Sequence, residues 1–315
     1  MAVPREQFLS PVWRDGIFEN KVLFCTGGAG TICSMQVRAF VALGGNACII
    51  GRNPEKTERG AADIALVRPG AKVIGLVADV RDVKALEDAA NRCVKELGSL
   101  DFAIAGAAGN FLAPMAQLSS NAFKTVMDID AVGSYNTAKA VLPHLVKSAQ
   151  KHKNTGAAQP TGTGGRIIFV SASFHFTGKP LQAHVAAAKA AVDQISHAVG
   201  IEYGPYGITS NIITPGPIAN TEGMARLSKA DPESQKKFAK KIPVGRYGQV
   251  KEIADATVYL FAETGSYVNA NTLVVDGGQW RVTGAADSES WAYPDFLLSG
   301  AVVDGVAKGG KKSKL

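Results

Sequence analysis

Seven short apolar runs, separated by stretches with helical spacing, constrain the fold of this chain more than any other feature. The runs cover residues 22–25, 47–50, 73–78, 102–105, 167–170, 209–213 and 272–275, and helical spacing is found over 35–43, 83–97, 122–145, 184–203 and 252–261. Short buried strands that alternate with helices pair in parallel through right-handed crossovers. The pattern predicts an α/β fold with a doubly wound, parallel, seven-stranded sheet and helices on both faces.

The length and composition favour one domain. The chain has 315 residues, of which 46% are apolar, so it can bury a large core, and no Ser/Pro-rich seam divides it. We expect a single domain over 21–280, an N-terminal extension over 1–20, and a C-terminal extension and tail over 281–315. A polar stretch rich in Gly and Thr over 148–165 predicts a long surface loop before the fifth strand.

Composition and charge exclude several classes of partner. No apolar stretch approaches the roughly 20 residues that cross a bilayer, and the first residues lack the apolar core of a secretory signal. The four cysteines form no Cys-x-x-Cys pair, which favours core residues in a reducing compartment over disulfides or a metal site. Lys308, Lys311, Lys312 and Lys314 supply four of the seven net positive charges, which leaves too few on the body to argue for nucleic acid. We therefore expect no membrane, metal or nucleic-acid partner.

The final tripeptide, Ser313-Lys314-Leu315, matches the peroxisomal address S-K-L. A flexible Gly/Lys-rich stretch precedes it and would present it to a receptor. The alternative is that a disordered tail ends in this tripeptide by chance. We predict that the protein is carried into the peroxisomal matrix by the import receptor.

A glycine-rich turn follows the first predicted strand and leads into a helix. It contains Gly27, Gly28 and Gly30, followed by Thr31 and Ile32. Such a turn lets backbone N–H groups approach a pyrophosphate at the positive end of a helix. The turn predicts a dinucleotide site on a Rossmann-type fold.

The end of the second strand indicates which dinucleotide is bound. Arg52 and Asn53 stand where an NAD-binding protein would carry an acidic residue for the ribose 2′-hydroxyl, and an arginine can instead pair with a 2′-phosphate. This favours NADPH over NADH, whereas the alternative is a solvated loop arginine. Asp79 and Val80 end the third strand, where we expect contact with the adenine.

Taken in order, these motifs resemble those of the short-chain dehydrogenase/reductase family over roughly 20–280. They are the glycine turn, Asp79-Val80, Ala107-Ala-Gly109, Lys189, Pro215-Gly-Pro-Ile218 and Asp276-Gly-Gly278. The resemblance implies a nicotinamide cofactor. It adds cofactor contacts at Ala108, Gly109, Lys189, Pro215, Gly216, Ile218 and Thr221.

The catalytic set of that family, Asn, Ser, Tyr and Lys, is largely absent. Asp130 replaces the Asn, Ala172 the Ser and Val185 the Tyr, so that only Lys189 remains. Hydride transfer to a carbonyl carbon leaves an alkoxide that must be protonated on oxygen, which is the task of the Tyr–Lys pair. The sequence therefore argues against ordinary alcohol or carbonyl chemistry.

One subgroup shares these departures: the sequence resembles the 2,4-dienoyl-CoA reductases of peroxisomes. The resemblance is carried by residues 107–112, 121–130, 184–193 and 215–223. It implies an oxidoreductase of fatty acid β-oxidation that uses NADPH to reduce 2,4-dienoyl-CoA to 3-enoyl-CoA. Two alternatives are a 2-enoyl-CoA reductase of the same fold and a non-catalytic NADPH-binding protein.

The expected chemistry adds hydride at C5 of the diene, which gives a dienolate, and then a proton at the α carbon. Lys189 and Asp193 are four residues apart and share one helix face, so they can hold a proton-donating water. The alternative is an ordinary exposed ion pair. Asp130 is expected to support this water network or to be purely structural. His184 is either an alternative acid or, as we prefer, a wall of the substrate pocket.

The resemblance also places residues on the acyl-CoA side and implies a substrate lid near 220–245. Arginines suit the phosphates of coenzyme A, although a solvated basic face would explain the lysines over 226–241 equally well. We expect a homo-oligomer, dimer or tetramer, through the two long helices. The implied substrate residues are Arg52, Arg81, Phe111, Ser119, Ser120, Asn121 and Arg226.

Overall fold

Seven parallel strands form one sheet in the computed structural model, which describes residues 3–156, 162–227 and 232–282. The strand order is β3-β2-β1-β4-β5-β6-β7. The predicted doubly wound fold is confirmed, and each predicted run coincides with a strand. The strands are β1 Val22–Thr26, β2 Asn46–Gly51, β3 Val73–Val77, β4 Phe102–Ala105, β5 Arg166–Val170, β6 Thr209–Pro215 and β7 Asn271–Val275.

Helices cover both faces of the sheet. The predicted helix over 83–97 has the predicted bounds, and the four others are longer than their apolar spacing indicated. Polar and short helices were not predicted from spacing; these are α2, α6, α8, α9 and α11. The helices are α1 Thr31–Ala42, α2 Pro54–Ala65, α3 Val83–Leu97, α4 Ser120–Met127, α5 Gly133–Lys151, α6 Phe174–Thr177, α7 Ala183–Tyr203, α8 Glu222–Leu227, α9 Pro232–Ala239, α10 Val250–Phe261 and α11 Gln279–Val282.

A π-helical turn, Asp128–Val132, joins α4 to α5, so the predicted helix over 122–145 is one long rod with a widened turn. Such turns are rare and are often found at functional sites. Gly133 follows the turn and packs closely against the loop after β3, since a Cβ there would be 2.6 Å from Cγ2 of Val80. The widened turn contains Asp130, which is fully buried.

Stacked phenylalanines form the centre of the core on one face of the sheet. The rings of Phe18 and Phe40 stack at 4.4 Å, and Phe102 lies 4.8 Å from Phe261. Aromatic pairs of this kind add to the free energy that area burial supplies. Phe18 belongs to the N-terminal extension, so this segment is part of the core.

The predicted surface loop over 148–165 begins later than expected. Helix α5 continues to Lys151, and His152 is buried beside Lys21, because these residues close the amino end of the sheet. Residues 157–161 lie outside the described residues. The same holds for 283–315 and thus for the Ser313-Lys314-Leu315 address.

Other predictions concern absent features. Across the described ranges, no helix is long and apolar enough to cross a membrane, and no cluster of three or more potential metal ligands occurs. The cysteines Cys25, Cys33, Cys48 and Cys93 are free and buried, as expected for core residues.

Arg166 ties the start of β5 to the end of α10. It is 5% exposed, and its guanidinium donates to the carbonyl oxygens of Leu260 and Ala262 at 2.9 and 2.6 Å and to Ser266 Oγ at 3.0 Å. Burial lowers the pKa of Arg166 to about 10, which leaves it charged at neutral pH.

Replacing Arg166 with Met should lower the free energy of unfolding by about 2–4 kcal/mol, because the buried acceptors would lose a charged donor. Urea denaturation measures this loss. Arg92, an exposed partner of Glu96, provides the control, and Arg92→Met should cost far less. Equal losses in the two variants would contradict the role given to Arg166.

Candidate active site

A cavity of about 910 Å³ lies at the carboxyl ends of the strands. It is centred on the β1/β4 junction, where the strand order reverses and open α/β sheets bind ligands. The loops after β1 to β6 contribute to it, together with the segment around α8. Of the predicted cofactor residues, those that line it are Gly27, Gly30, Thr31, Ile32, Arg52, Asn53, Asp79, Val80, Ala108, Lys189, Pro215, Gly216, Ile218 and Thr221.

The glycine turn has the shape of a pyrophosphate cradle. Gly27 has a φ of +70°, and a Cβ there would lie 2.9 Å from the oxygen of Gly106. Gly30 caps α1 without a side chain, so the first N–H groups of the helix face the turn without a side-chain acceptor. These residues fit a dinucleotide.

Two predicted cofactor residues have other contacts. Gly28 does not line the cavity, because it packs against β2: a Cβ there would lie 2.6 Å from Ile49. Gly109 is also outside the lining, and its N–H donates to Oδ1 of Asp130 at 2.7 Å. Both glycines support the shape of the site from behind.

The part of the cavity that follows β2 carries an arginine at the predicted position. Arg52 is exposed and lines the cavity, and Asn53 caps α2 by accepting from the N–H of Lys56. Arg81 donates to both oxygens of Asp79 at 3.0 and 2.6 Å, and this contact lowers the pKa of Asp79. Arg52 thus lies at the cavity, whereas Arg81 is held beside it by Asp79.

A bridge of three residues lies in the cavity wall near the glycine turn, and we call it the latch. Lys56 Nζ lies 2.8 Å from Oε1 of Glu222, and the N–H of Glu222 donates to Thr31 Oγ1 at 3.3 Å. Thr31 stands where the family pattern has glycine. Its hydroxyl oxygen therefore provides an acceptor for the first N–H of α8, which a glycine would lack. The latch connects the segment after β6 to the segments after β1 and β2.

Lys189 forms a buried ion pair with Asp130. Their atoms Nζ and Oδ2 are 3.1 Å apart, and the two side chains are 8% and 0% exposed. Lys189 also donates to the carbonyl oxygen of Val170 at 3.1 Å, and Asp130 holds the N–H of Gly109. The π-helical turn between α4 and α5 thus places the carboxylate of Asp130 against Lys189 of α7.

Asp193 is buried, and its partner is a histidine that sequence reasoning missed. Oδ2 of Asp193 lies 2.8 Å from Nε2 of His175, and Oδ1 has no hydrogen-bond partner in the described part of the chain. The alternative of an exposed Lys189–Asp193 ion pair is wrong, because both side chains are buried and each faces a different partner. The single histidine in the 173–179 segment was the only signal for His175.

His184 is an unsuitable acid. Its Nε2 lies 3.0 Å from the oxygen of Phe111, and the two rings stack at 4.2 Å. Burial lowers the pKa of His184, which favours the neutral ring. Neither residue lines the cavity. The preferred role as a wall of the substrate pocket stays a prediction.

The remaining predicted substrate residues lie on and beside α4. The side chain of Ser119 accepts from the N–H of Ala122 and caps the helix, and Ser120 and Asn121 are exposed in its first turn. The structure therefore does not bring them into the cavity lining. Arg226 lies on α8, but its side chain is outside the described residues.

Comparison with known proteins identifies the fold family. A family model described as enoyl-(acyl carrier protein) reductase matches residues 27–279. A solved short-chain dehydrogenase from Bacillus anthracis superposes with a TM-score of 0.72 at 30% identity, covering 83% of this chain and 97% of that one. The chain belongs to the short-chain dehydrogenase/reductase family. A citronellol catabolism dehydrogenase from Pseudomonas aeruginosa gives a TM-score of 0.69 at 27% identity, with coverage of 85% and 98%.

Three relatives within the short-chain family have informative names. The Saccharomyces cerevisiae peroxisomal 2,4-dienoyl-CoA reductase, named as (3E)-enoyl-CoA-producing, is 45% identical and covers 91% of this chain and 92% of its own length. A Danio rerio protein of the same name is 34% identical, with coverage of 88% and 87%. A Bacillus subtilis protein named probable 2,4-dienoyl-CoA reductase, (2E)-enoyl-CoA-producing, is 32% identical, with coverage of 83% and 97%.

The residue at the position of the family's tyrosine is Val185, which has no side-chain hydroxyl. Val185 is 2% exposed and packs with Val126 and Ala188. Ala172 lines the cavity at the position of the family's serine, between Ser171 and Ser173. Lys189 is therefore the one member of the usual catalytic set that is retained.

Replacing Asp130 with Leu should lower the free energy of unfolding by about 3–5 kcal/mol, because Lys189 would be left as an uncompensated buried charge. Asp130→Asn should cost less, since its amide oxygen can still accept from the N–H of Gly109. Urea denaturation distinguishes the variants. Asp128→Leu is the control, because Asp128 pairs with Lys124 near the surface. If Asn and Leu were equally destabilising, the Gly109 contact would contribute nothing.

Proposed function

We propose that this protein reduces 2,4-dienoyl-CoA to 3-enoyl-CoA with NADPH in peroxisomal β-oxidation. The observation that carries the proposal is the buried group of Lys189, Asp130 and Asp193 beside the cavity, where the phenol of an alcohol dehydrogenase is absent. The names of the yeast and zebrafish relatives support the same reaction.

The reaction differs from carbonyl reduction in where the proton goes. When bound, the nicotinamide cofactor would supply the hydride, which adds to C5 of the conjugated thioester. Negative charge then moves to the thioester oxygen, and the proton is needed at the α carbon. Such a reaction requires a positive charge to stabilise the dienolate and a proton donor at carbon, and it requires no phenol at a carbinol oxygen.

In the proposal, Lys189 provides the positive charge, and Lys189 and Asp193 together hold the proton donor. Lys189 is held by Asp130 and by the oxygen of Val170, so its ammonium is a fixed charge next to the cavity. Asp193 lies one helical turn further along α7 and keeps a buried oxygen without a protein donor in the described residues. Buried polar atoms of this kind are commonly satisfied by water. We assign the proton to a water held by Lys189 and Asp193.

NADPH is favoured over NADH by the charge at the ribose end. Arg52 lines the cavity where a 2′-phosphate would lie, and Lys56 is close by on α2. Arginine is well suited to phosphate because its planar fork donates two parallel hydrogen bonds.

The acyl-CoA would approach from the side of α4 and the lid over 220–245. Arg81 lies outside the cavity lining, and the basic residues of the lid include Arg226. Phosphates of coenzyme A would bind these cations, and Phe111 and the start of α4, with Ser119, Ser120 and Asn121, would contact the acyl chain or the pantetheine.

Peroxisomal import and oligomerisation complete the proposal. Ser313-Lys314-Leu315 would bind the import receptor, in agreement with the word peroxisomal in the relatives' names. The α4–α5 rod and α7 would form the interface of a dimer or tetramer, and exposed apolar side chains on them include Val132, Tyr135 and Ile201.

A second candidate is reduction of 2-enoyl-CoA, which the description of the family model favours. Lys189 and Asp193 would protonate an enolate as readily as a dienolate. The two functions differ in whether the site stabilises the dienolate formed from 2,4-dienoyl-CoA or the enolate formed from 2-enoyl-CoA.

The test measures NADPH oxidation with 2,4-hexadienoyl-CoA, with 2-hexenoyl-CoA, and with neither. We expect turnover with the diene alone, because the yeast and zebrafish relatives are named 2,4-dienoyl-CoA reductases. Turnover with both substrates would support the second candidate. NADPH binding without turnover would reduce the protein to a nucleotide-binding role and overturn both.

Arg52→Ala should raise the KM for NADPH by about 10- to 100-fold, the loss expected when a charged hydrogen bond to phosphate is removed. The KM for NADH should change little, because NADH lacks the 2′-phosphate. Arg59→Ala is the matched control, because Arg59 is an exposed arginine on α2 that does not line the cavity. Equal effects of Arg52→Ala on both cofactors would overturn the 2′-phosphate assignment.

A further inference from the structure

Four ionisable side chains near the cavity, of which Asp130, Lys189 and Asp193 are buried and His175 is partly buried, divide into two pairs. Asp130 faces Lys189 at 3.1 Å, and His175 faces Asp193 at 2.8 Å. The His175 and Asp193 side chains are 10% and 4% exposed. The first pair includes the lysine of the family's catalytic set, whereas the second has a histidine that the reaction as derived above does not use.

His175 is the hydrogen-bond partner of Asp193 among the described residues. A buried carboxylate without donors is costly, since it loses its hydration and gains nothing in return. Oδ2 is satisfied by the histidine, and Oδ1 is left without a protein partner. The two oxygens of Asp193 therefore differ: one is fixed by protein and the other is available.

The surroundings of His175 fix its ring. The residue lies on α6, directly after β5, where the N–H groups of Phe176 and Thr177 donate to the oxygen of Ser173. Its ring lies 4.0 Å from the ring of Phe176, which in turn lies 5.4 Å from Trp280. Since Ser173 lines the cavity, α6 connects the cavity wall to the histidine.

We propose that His175 is a positioning residue for the reduction, and this rests on the function proposed above. By engaging Oδ2, it holds Asp193 away from Lys189, which stays paired with Asp130. Oδ1 is then presented to the proton-donating water. Without this bond, Asp193 would be free to rotate within a site that must place the donor accurately beside the α carbon.

The test compares two substitutions of similar polarity but different reach. The amide nitrogen of Gln can occupy the place of Nε2 and donate to Asp193, whereas that of Asn corresponds to Nδ1 and falls short. We expect His175→Asn to lower kcat at least about tenfold, with KM for NADPH and diene changed less than about threefold. His175→Gln should retain at least about a third of kcat, because it keeps the hydrogen bond.

Controls separate positioning from general damage. His197→Gln alters a histidine further along α7, whose ring faces Thr272 at 3.5 Å, and should leave kcat unchanged. Thermal unfolding of every variant identifies any loss of fold. The kcat values are then compared per mole of folded protein, whose concentration is measured by titration with NADPH.

The outcomes also separate this proposal from the proposed function. Wild-type kcat in folded His175→Asn, with turnover abolished in Asp193→Ala, would overturn the role of His175 and leave the reaction standing. Equal loss in the Gln and Asn variants would overturn positioning by the hydrogen bond. Absence of diene reduction by the wild-type protein would overturn the reaction itself, and the role of His175 with it.

Discussion

The buried ion pair between Asp130 and Lys189 is the interaction on which the rest of the site depends. Holding a lysine ammonium in a protein interior requires an opposite charge at close range. Asp130 provides that charge and also holds the N–H of Gly109, so one carboxylate connects the loop after β4 to α7. Because Lys189 is thus compensated by Asp130, Asp193 need not neutralise it.

Much of the fold was predictable because it depends on local pattern. The strands are four to seven residues long, apolar and bounded by turn residues, so apolar runs located all seven, including the partly exposed edge strands β3 and β7. Helix α3 was predicted to the residue from its apolar spacing, and in the structure Asp82 caps its start and Gly98, with φ of +90°, ends it. Helix α2 was missed because its exposed face is polar and only Thr57, Ala61 and Ile64 are buried.

The site was predictable only in part. Motifs placed Arg52, Asp79 and Lys189 at the cavity, since each follows a strand or belongs to a helix of known position. The pairing of side chains was not predictable, because it depends on distances between elements far apart in sequence. Asp130 faces Lys189 through a π-helical turn that leaves no trace in the apolar spacing, and Asp193 faces His175 instead of sharing a salt bridge along its own helix.

The latch joins three segments that are distant in the chain at one wall of the cavity. Lys56 and Glu222 pair there, and Thr31 receives α8 where a glycine would offer no hydroxyl. The ion pair is about half exposed, so it contributes at most about 1 kcal/mol. The latch therefore holds α8 only loosely to the glycine turn and α2, and an anionic group that entered the cavity would compete with Glu222 for Lys56.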